Sequence, residues 1–120
     1  MAVEHYHGSC QCGAVAFEAD LDLDSPITCN CSRCRRLGSV LVFAPATAFR
    51  QTAGEGAMTS YRFNRNVIDH LFCAVCGIES FARGTAPDGS AVVAVNANCL
   101  DGVDTRALAA RAQQVDGASY

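Results

Sequence analysis

The sequence has no lysine at all, and its nine basic residues are all arginines. The absence of lysine excludes catalysis through a lysine Schiff base and a phosphate-binding P-loop, because both need that side chain. No apolar run approaches the length of about 18 residues that would predict a membrane-spanning helix. The opening segment, MAVEHYHGSC, has neither the basic nor the apolar region of a secretory signal. We therefore expect a cytoplasmic protein that does not bind membranes.

Net positive charge and large core residues are also scarce. The net charge is -3 and the isoelectric point is about 5.4, which argues against a nucleic-acid partner. A length of 120 residues is that of one ordinary domain, so we predict a single domain over residues 1–120. Hydrophobic residues make up 50% of the chain, but many of them are alanines, so the predicted core is thin. The eight cysteines are the candidates for additional support.

The cysteines follow the spacing of metal ligands. In an unexported chain we expect thiols or metal-bound thiolates rather than disulfides. Only Cys99 stands alone, and the other cysteines fall into tight CxC or CxxC groups, a spacing that suits thiolate binding of one metal ion. These groups are Cys10 and Cys12, then Cys29, Cys31 and Cys34, then Cys73 and Cys76.

The two outer pairs predict a structural metal site. Cys10 and Cys12 can share one face of an extended segment, because side chains two residues apart point the same way. Cys73 and Cys76 form a CxxC followed by glycine, the composition of a zinc knuckle. Four thiolates close the coordination shell and leave no position for a substrate. The alternative is that these are ordinary small core residues, which two such tight pairs disfavour.

The central group, Cys29, Cys31 and Cys34, supplies only three thiolates. Three protein ligands and an open position are the arrangement of catalytic zinc. If Cys99 fills the fourth corner, both sites are closed and the protein is a scaffold. If it does not, the open corner favours a soft ligand such as an incoming thiol. Three histidines are weaker candidates for the fourth ligand, namely His5, His7 and His70.

Period-2 patterning dominates the rest of the chain and predicts a mostly β fold with little helix. Strands are expected after the first cysteine pair, around residues 40–43, and on both sides of the CxxC. A half-buried strand is expected around Thr59, Tyr61 and Phe63. Only residues 105–114 have helical character, with Thr105 as a possible cap, and a loose C-terminal coil is the alternative.

Four segments resemble the glutathione-dependent formaldehyde-activating enzyme (GFA) family, which is related to centromere protein V. They are HGSCQCGAVAFEA, CNCSRCRRLGS, FCAVCGIESF and VNANCLDGVD, spanning about residues 7–104 and leaving a tail over residues 105–120. The resemblance implies several short coiled antiparallel β-sheets around zinc knuckles. It also implies a structural zinc held by the two outer cysteine pairs and a catalytic zinc held by the central three. The family often has His where this chain has Asn30.

The resemblance further implies a carbon–sulfur lyase that reversibly joins glutathione and formaldehyde, with zinc as cofactor. The thiol partner is glutathione or a similar small molecule. The expected anchors for its carboxylates are Arg33, Arg35, Arg62 and Arg65. The alternative interpretation of the arginines within residues 33–36 is that they form an ordinary solvent-exposed face and bind no ligand. The alternative function is a non-catalytic, zinc-stabilised binding or scaffold domain. We expect Cys99 to line the second site without binding its metal.

These interpretations predict two zinc ions per chain, because each cysteine cluster has the composition of a site for one ion. Metal analysis of the purified protein should give close to two equivalents of zinc. A colourless preparation would exclude the minor alternative of an iron–sulfur cluster on the central group. Less than one equivalent, together with intact disulfides, would contradict the prediction.

Overall fold

A computed structural model describes residues 2–119, so both ends of the predicted domain, Met1 and Tyr120, lie outside the described residues. The described chain is built from short strands joined by turns, with two short helices. The strands are β1 (Val3–Ser9), β2 (Ala16–Asp22), β3 (Ile27–Cys29), β4 (Leu41–Pro45), β5 (Phe49–Ala53), β6 (Met58–Tyr61), β7 (Asp69–Cys73), β8 (Phe81–Thr85), β9 (Ala91–Asn96) and β10 (Gln113–Val115). The helices are α1 (Ser32–Leu37) and α2 (Thr105–Ala110), and single 3₁₀ turns span Ala46–Ala48, Ala97–Cys99 and Gly117–Ser119.

The strands form two sheets. The smaller has the order β1-β2-β5, and the larger has the order β10-β3-β4-β9-β8-β7-β6. Neighbouring strands are antiparallel except β10 and β3, which are parallel. The prediction of a mostly β fold with short antiparallel sheets and little helix is confirmed, with one parallel pair added.

Alternation along β2 separates the core from the outer surface. Phe17, Ala19 and Leu21 are buried, whereas Glu18 and Asp20 point to the other face of the sheet. This is the period of 2 expected for a sheet with one buried face. The larger sheet packs against this buried face of the smaller sheet.

Three phenylalanines join the two sheets at the centre of the core. The rings of Phe17 and Phe49, from the smaller sheet, have centroids 5.3 Å apart. Phe81, from the larger sheet, lies 4.6 Å from Phe49 and 6.0 Å from Phe17. A Cβ atom on Gly8 would lie 2.4 Å from the Phe17 ring, so only glycine fits there. The aromatic cluster therefore sets how closely β1 approaches the core.

The edge strand β6 differs from its prediction. It ends at Tyr61, before Phe63, and Thr59 and Tyr61 are exposed rather than half-buried. The reason is its position at the edge of the larger sheet, where it has a neighbour on one side only.

The C-terminal segment is ordered rather than a loose coil. Asp104, not Thr105, caps α2 by accepting a hydrogen bond from the N–H of Ala107. Leu108 from this helix is buried in the core, and β10 then adds to the larger sheet beside β3. Within residues 2–119, neither helix is long and apolar enough to cross a membrane.

The burial of Leu108 makes α2 a part of the core, so Leu108→Ala should destabilise the fold. We expect a loss of about 2–5 kcal/mol, which is typical of a buried leucine replaced by alanine. Denaturant unfolding of the metal-loaded protein measures it. Leu37→Ala on α1 is the matched control, because Leu37 is 42% exposed. Equal effects of the two changes would show that α2 does not contribute to the core.

Candidate metal centres

The first cysteine cluster joins two turns that are distant in the chain. Cys10 and Cys12 lie between β1 and β2, while Cys73 ends β7 and Cys76 lies in the turn that follows. Two of the Sγ–Sγ distances, Cys10–Cys12 and Cys12–Cys73, are each 3.7 Å, and all four Sγ atoms lie within 4.8 Å of one another. Tetrahedral zinc with Zn–S bonds of about 2.3 Å places its sulfurs about 3.8 Å apart. The four thiols therefore fit a closed zinc site.

Backbone N–H groups point at the sulfurs of this cluster and favour their thiolate forms. The N–H groups of Val75 and Cys76 donate to Cys73 Sγ over 3.4 and 3.5 Å, and they lower the pKa of Cys73. The N–H groups of Ile78 and Cys12 lower the pKa of Cys76 to about 6. Such hydrogen bonds stabilise the charged sulfur that a metal ion requires.

The second cluster is assembled by one strand end and one helix start. Cys29 ends β3, Cys31 is the N-cap of α1, and Cys34 lies in its first turn. The N–H of Cys31 donates to Cys29 Sγ over 3.4 Å, and the N–H of Cys34 donates to Cys31 Sγ over 3.3 Å. Gly38 ends the helix in the left-handed conformation, with φ of 66°. Local geometry alone thus gathers three half-buried thiols.

The thiols of the second cluster differ in how readily they ionise. Burial opposes ionisation of Cys31, but hydrogen bonds from the N–H groups of Cys34 and Arg33 outweigh it and lower the pKa of Cys31. Burial raises the pKa of Cys34, and the neighbouring Cys31 raises it further. Three adjacent thiolates repel one another, so full ionisation needs a bound cation. Their soft sulfur donors, all within 4.8 Å of one another, could hold zinc.

Asn30, between Cys29 and Cys31, fastens the C-terminal segment to this cluster. Its N–H donates to the carbonyl of Val115 over 3.1 Å. Its side-chain amide donates to Asp116 Oδ1 over 3.0 Å and accepts from the N–H of Ala118 over 2.9 Å. Asn30 therefore fixes residues 115–118 beside the second cluster through hydrogen bonds of its backbone and of its side-chain amide.

Gly117 then passes directly over the second cluster. A Cβ atom built on Gly117 would lie 2.4 Å from Cys29 Sγ and 3.3 Å from Cys31 Cβ. Only glycine allows this approach without movement. Residues 114–117, part of the segment expected to be a tail outside the motifs, thus form one wall of the second cluster.

The prediction that Cys99 lines the second cluster is wrong. Burial raises the pKa of its thiol, and negative charge on the nearby sulfurs of the first cluster, Cys10 and Cys76, acts in the same direction. The adjacent Asn98 does reach α1, donating to the carbonyl of Gly38 over 3.3 Å. Cys99 lines neither of the cavities beside the second cluster.

None of the histidines proposed as a fourth ligand lies in the second cluster. Among residues 2–119, no fourth His, Cys, Asp or Glu donor lies within 4.8 Å of all three sulfurs. His70 is buried with Nδ1 3.5 Å from Glu79 Oε2. His5 and His7 lie on β1, grouped with Glu18. The second cluster therefore has three protein donors.

Two surface cavities lie on either side of α1. The first, of about 340 Å³, is lined by Thr28, Cys29, Asn30, Arg35, Gln114, Val115 and Asp116. The second, of about 490 Å³, is lined by Ser32, Arg33, Arg36, Leu37, Tyr61 and Phe63. Both are open to solvent beside residues that carry or flank the three thiols.

A buried ion pair fixes Arg33 between the second-cluster cysteines. Its Nε and Nη2 atoms donate to Glu79 Oε1 over 3.0 and 2.7 Å, and its guanidinium lies 4.9 Å from the centre of the Tyr61 ring. Glu79 also faces His70. The charge of Arg33 is thus largely balanced within the protein, whereas the exposed Arg35 lines the first cavity.

The other two arginines expected as anchors lie beyond Tyr61. Arg62 donates to Asp69 Oδ1 at the edge of the larger sheet. Arg65 is exposed in the following loop, and no ion pair joins it to another residue of the described chain. Neither residue lines the two cavities beside α1.

Sequence reasoning missed the residues that support the second cluster from elsewhere in the chain. Glu79 follows the CxxC pair by three positions, and an acidic residue so close to predicted ligands is the one signal that could have identified it. Gly117 and Asp116 gave no signal, because their role depends on the pairing of β10 with β3.

Comparison with known proteins agrees with this arrangement. The family model described as glutathione-dependent formaldehyde-activating enzyme matches residues 5–115. The chain is also similar to a Rhodobacter sphaeroides protein whose crystal structure was solved as a structural genomics target. The TM-score is 0.81 and the identity is 31%, over 91% of this chain and 99% of that chain.

The two clusters should respond differently to the loss of one sulfur. Cys73→Ser should leave the protein unfolded or insoluble, because Cys73 is buried and ties β7 to the turn after β1. Cys31→Ser should leave a folded protein with one zinc, because the ligands of its cluster are local in sequence. Circular dichroism and metal analysis measure both outcomes. Equal damage from the two changes would contradict the division into structural and open sites.

Proposed function

The chain belongs to the glutathione-dependent formaldehyde-activating enzyme family, and from this premise we propose that it is an enzyme acting on thiol adducts. It joins the sulfur of glutathione, or of a similar small thiol, to formaldehyde or another small carbonyl compound. The reverse reaction makes it a carbon–sulfur lyase. The second cysteine cluster is its reaction centre.

The observation that carries this proposal is the incomplete donor set of the second cluster beside open cavities. Three protein donors leave one position of a tetrahedral site for an external ligand. A purely structural zinc site has four protein ligands, so an open position favours an enzyme over a scaffold. Cys29 lines the cavity of about 340 Å³, so a small molecule in that cavity would lie beside the second cluster.

We further propose two zinc ions per chain. Cys10, Cys12, Cys73 and Cys76 hold one as a structural ion, and Cys29, Cys31 and Cys34 hold the other. When bound at the second cluster, zinc supplies positive charge that lowers the pKa of an external thiol. Thiolate ligands have to stay reduced, so the proposed compartment is the cytoplasm.

The residues around the second cluster bind and orient the thiol. Arg35 is the principal proposed anchor for a carboxylate, because it is exposed in the first cavity. Arg33 is held by Glu79 and keeps the wall between the two cavities in place. Arg62 and Arg65 remain secondary anchors in the proposal, since they reach the site only if the ligand extends past Tyr61.

The reaction itself needs no oxidant or reductant. The thiol first releases its proton to water. The thiolate sulfur then forms a bond to the carbonyl carbon, the electron pair of the C=O double bond moves to oxygen, and that oxygen takes up a proton from water, so no net proton is gained or lost. The protein contributes position, because holding both reactants together removes much of the entropic barrier. Asn30 and Gly117 restrict access from the side of β10.

The proposal predicts that the zinc-loaded protein accelerates exchange between free formaldehyde and its glutathione adduct. NMR with ¹³C-labelled formaldehyde measures that exchange. Cys34→Ser should reduce the acceleration by more than about 100-fold, beyond the effect typical of residues that only support a metal ligand. Cys99→Ser is the matched control and should retain it, because Cys99 lies outside both clusters.

Arg35→Gln should raise the KM for glutathione while leaving kcat nearly unchanged, since a carboxylate anchor contributes binding rather than chemistry. No acceleration by the wild-type protein, or equal acceleration by Cys34→Ser, would refute the proposed activity and favour a scaffold.

A further inference from the structure

The outer face of the smaller sheet carries a group of imidazoles and carboxylates that the proposed function does not use. His5 and His7 lie two residues apart on β1, so their side chains share one face. The register places His7 opposite Glu18 and His5 opposite Asp20. Arg50 on β5 lies opposite Glu18 on its other side. All five therefore belong to one solvent-facing patch.

Glu18 is held so that one of its oxygens faces both imidazoles. Its Oε1 accepts hydrogen bonds from Arg50 Nη2 and Nε over 2.6 and 3.1 Å. Its Oε2 lies 3.8 Å from His5 Nε2 and 3.8 Å from His7 Nδ1. The side chain of Glu18 is only 21% exposed, so its position is constrained. Arg50 thus orients a carboxylate whose second oxygen has two nitrogens as neighbours.

Asp20 orients His5 in the same way. His5 Nδ1 lies 2.7 Å from Asp20 Oδ1, a hydrogen bond that places the ring proton on Nδ1 and leaves the lone pair on Nε2. A metal-binding histidine commonly donates its other ring N–H to a carboxylate, which fixes its tautomer and raises its basicity. His5 therefore presents Nε2 as a donor atom toward Glu18.

We propose that His5 Nε2, His7 Nδ1 and Glu18 Oε2 form a third metal site, which takes a divalent first-row transition ion of the zinc class. The three donor atoms already lie within 4.8 Å of one another. Zinc bonds of about 2.1 Å to nitrogen and oxygen require donor separations of about 3.4 Å. Small side-chain rotations close that difference, because both imidazoles are exposed.

The charge and accessibility of the patch suit a cation. With neutral imidazoles, the two carboxylates and Arg50 leave one net negative charge. The site contains no cysteine, so it is independent of both cysteine clusters and of the proposed reaction. Two imidazoles and one carboxylate leave a coordination position for water, as in open zinc sites. Simple ion pairs between these residues are the competing explanation.

Zinc titration of the holoprotein, with both cysteine clusters already filled, distinguishes the two explanations. Calorimetry near neutral pH should show one further equivalent of Zn²⁺ in the wild-type protein. His7→Ala and Glu18→Gln should remove it or weaken it by more than about 100-fold. Asp20→Asn, which alters only the orienting partner, should weaken it by about 10–100-fold.

Glu4→Gln is the matched control. Glu4 is an exposed carboxylate on β1, but it lies opposite Leu21 and thus on the other side of the strand. It should leave the third equivalent unchanged. In parallel, ¹⁵N chemical shifts of His5 Nε2 and His7 Nδ1 should move on zinc addition in the wild-type protein.

A third equivalent that persists in His7→Ala, or ring nitrogens that do not respond to zinc, would overturn the proposal. So would the absence of any third equivalent. All the substitutions are on exposed side chains or on the outer face of the sheet, and retention of two zinc equivalents in each variant verifies that the protein remains folded. Failure here leaves the proposed thiol chemistry untouched, because that chemistry is tested through Cys34.

Discussion

The fold depends on the contact of four sulfurs between two distant turns. Cys12 and Cys73 are separated by 61 positions in the chain, yet their Sγ atoms are 3.7 Å apart. By analogy with a disulfide, a metal ion that closes a loop of this length lowers the conformational entropy of the unfolded chain. The loss stabilises the folded state by roughly 4 kcal/mol at room temperature. That is close to the entire net stability of a small domain. With many alanines and one aromatic trio in the core, this chain has few other interactions of comparable size.

The two cysteine clusters are mechanically connected. Cys76 of the first cluster lies three positions before Glu79, and Glu79 forms an ion pair with Arg33, which stands between Cys31 and Cys34 of the second cluster. Both side chains of this ion pair are mostly buried, so removing either would leave the other charged group largely buried without its partner. A distortion of the first cluster therefore reaches α1 through one side chain. The first cluster thus helps to fix the geometry of the second.

Both groups of cysteines could be predicted from the sequence, because cysteines two or three positions apart have the spacing of metal ligands. The strand after the first cysteine pair followed from the period of 2, which β2 shows in its alternating burial. Cys99 was misplaced because motif order in the chain says nothing about which way a 3₁₀ turn points its side chains. The contact of Asn30 with Asp116 could not be predicted from the sequence for a different reason. It depends on a parallel pairing between β3 and β10, and strands so distant in sequence carry no local sign of their partner.

The position of β10 has a consequence for how the protein matures. A ribosome makes the chain from the N-terminus, so β3, α1 and their three thiols exist well before residues 113–119 emerge. Until then the wall formed by Gly117 is missing, and the second cluster is open on the side that β10 later covers. The three thiols are therefore more accessible from solvent before residues 113–119 pair with β3 than afterwards.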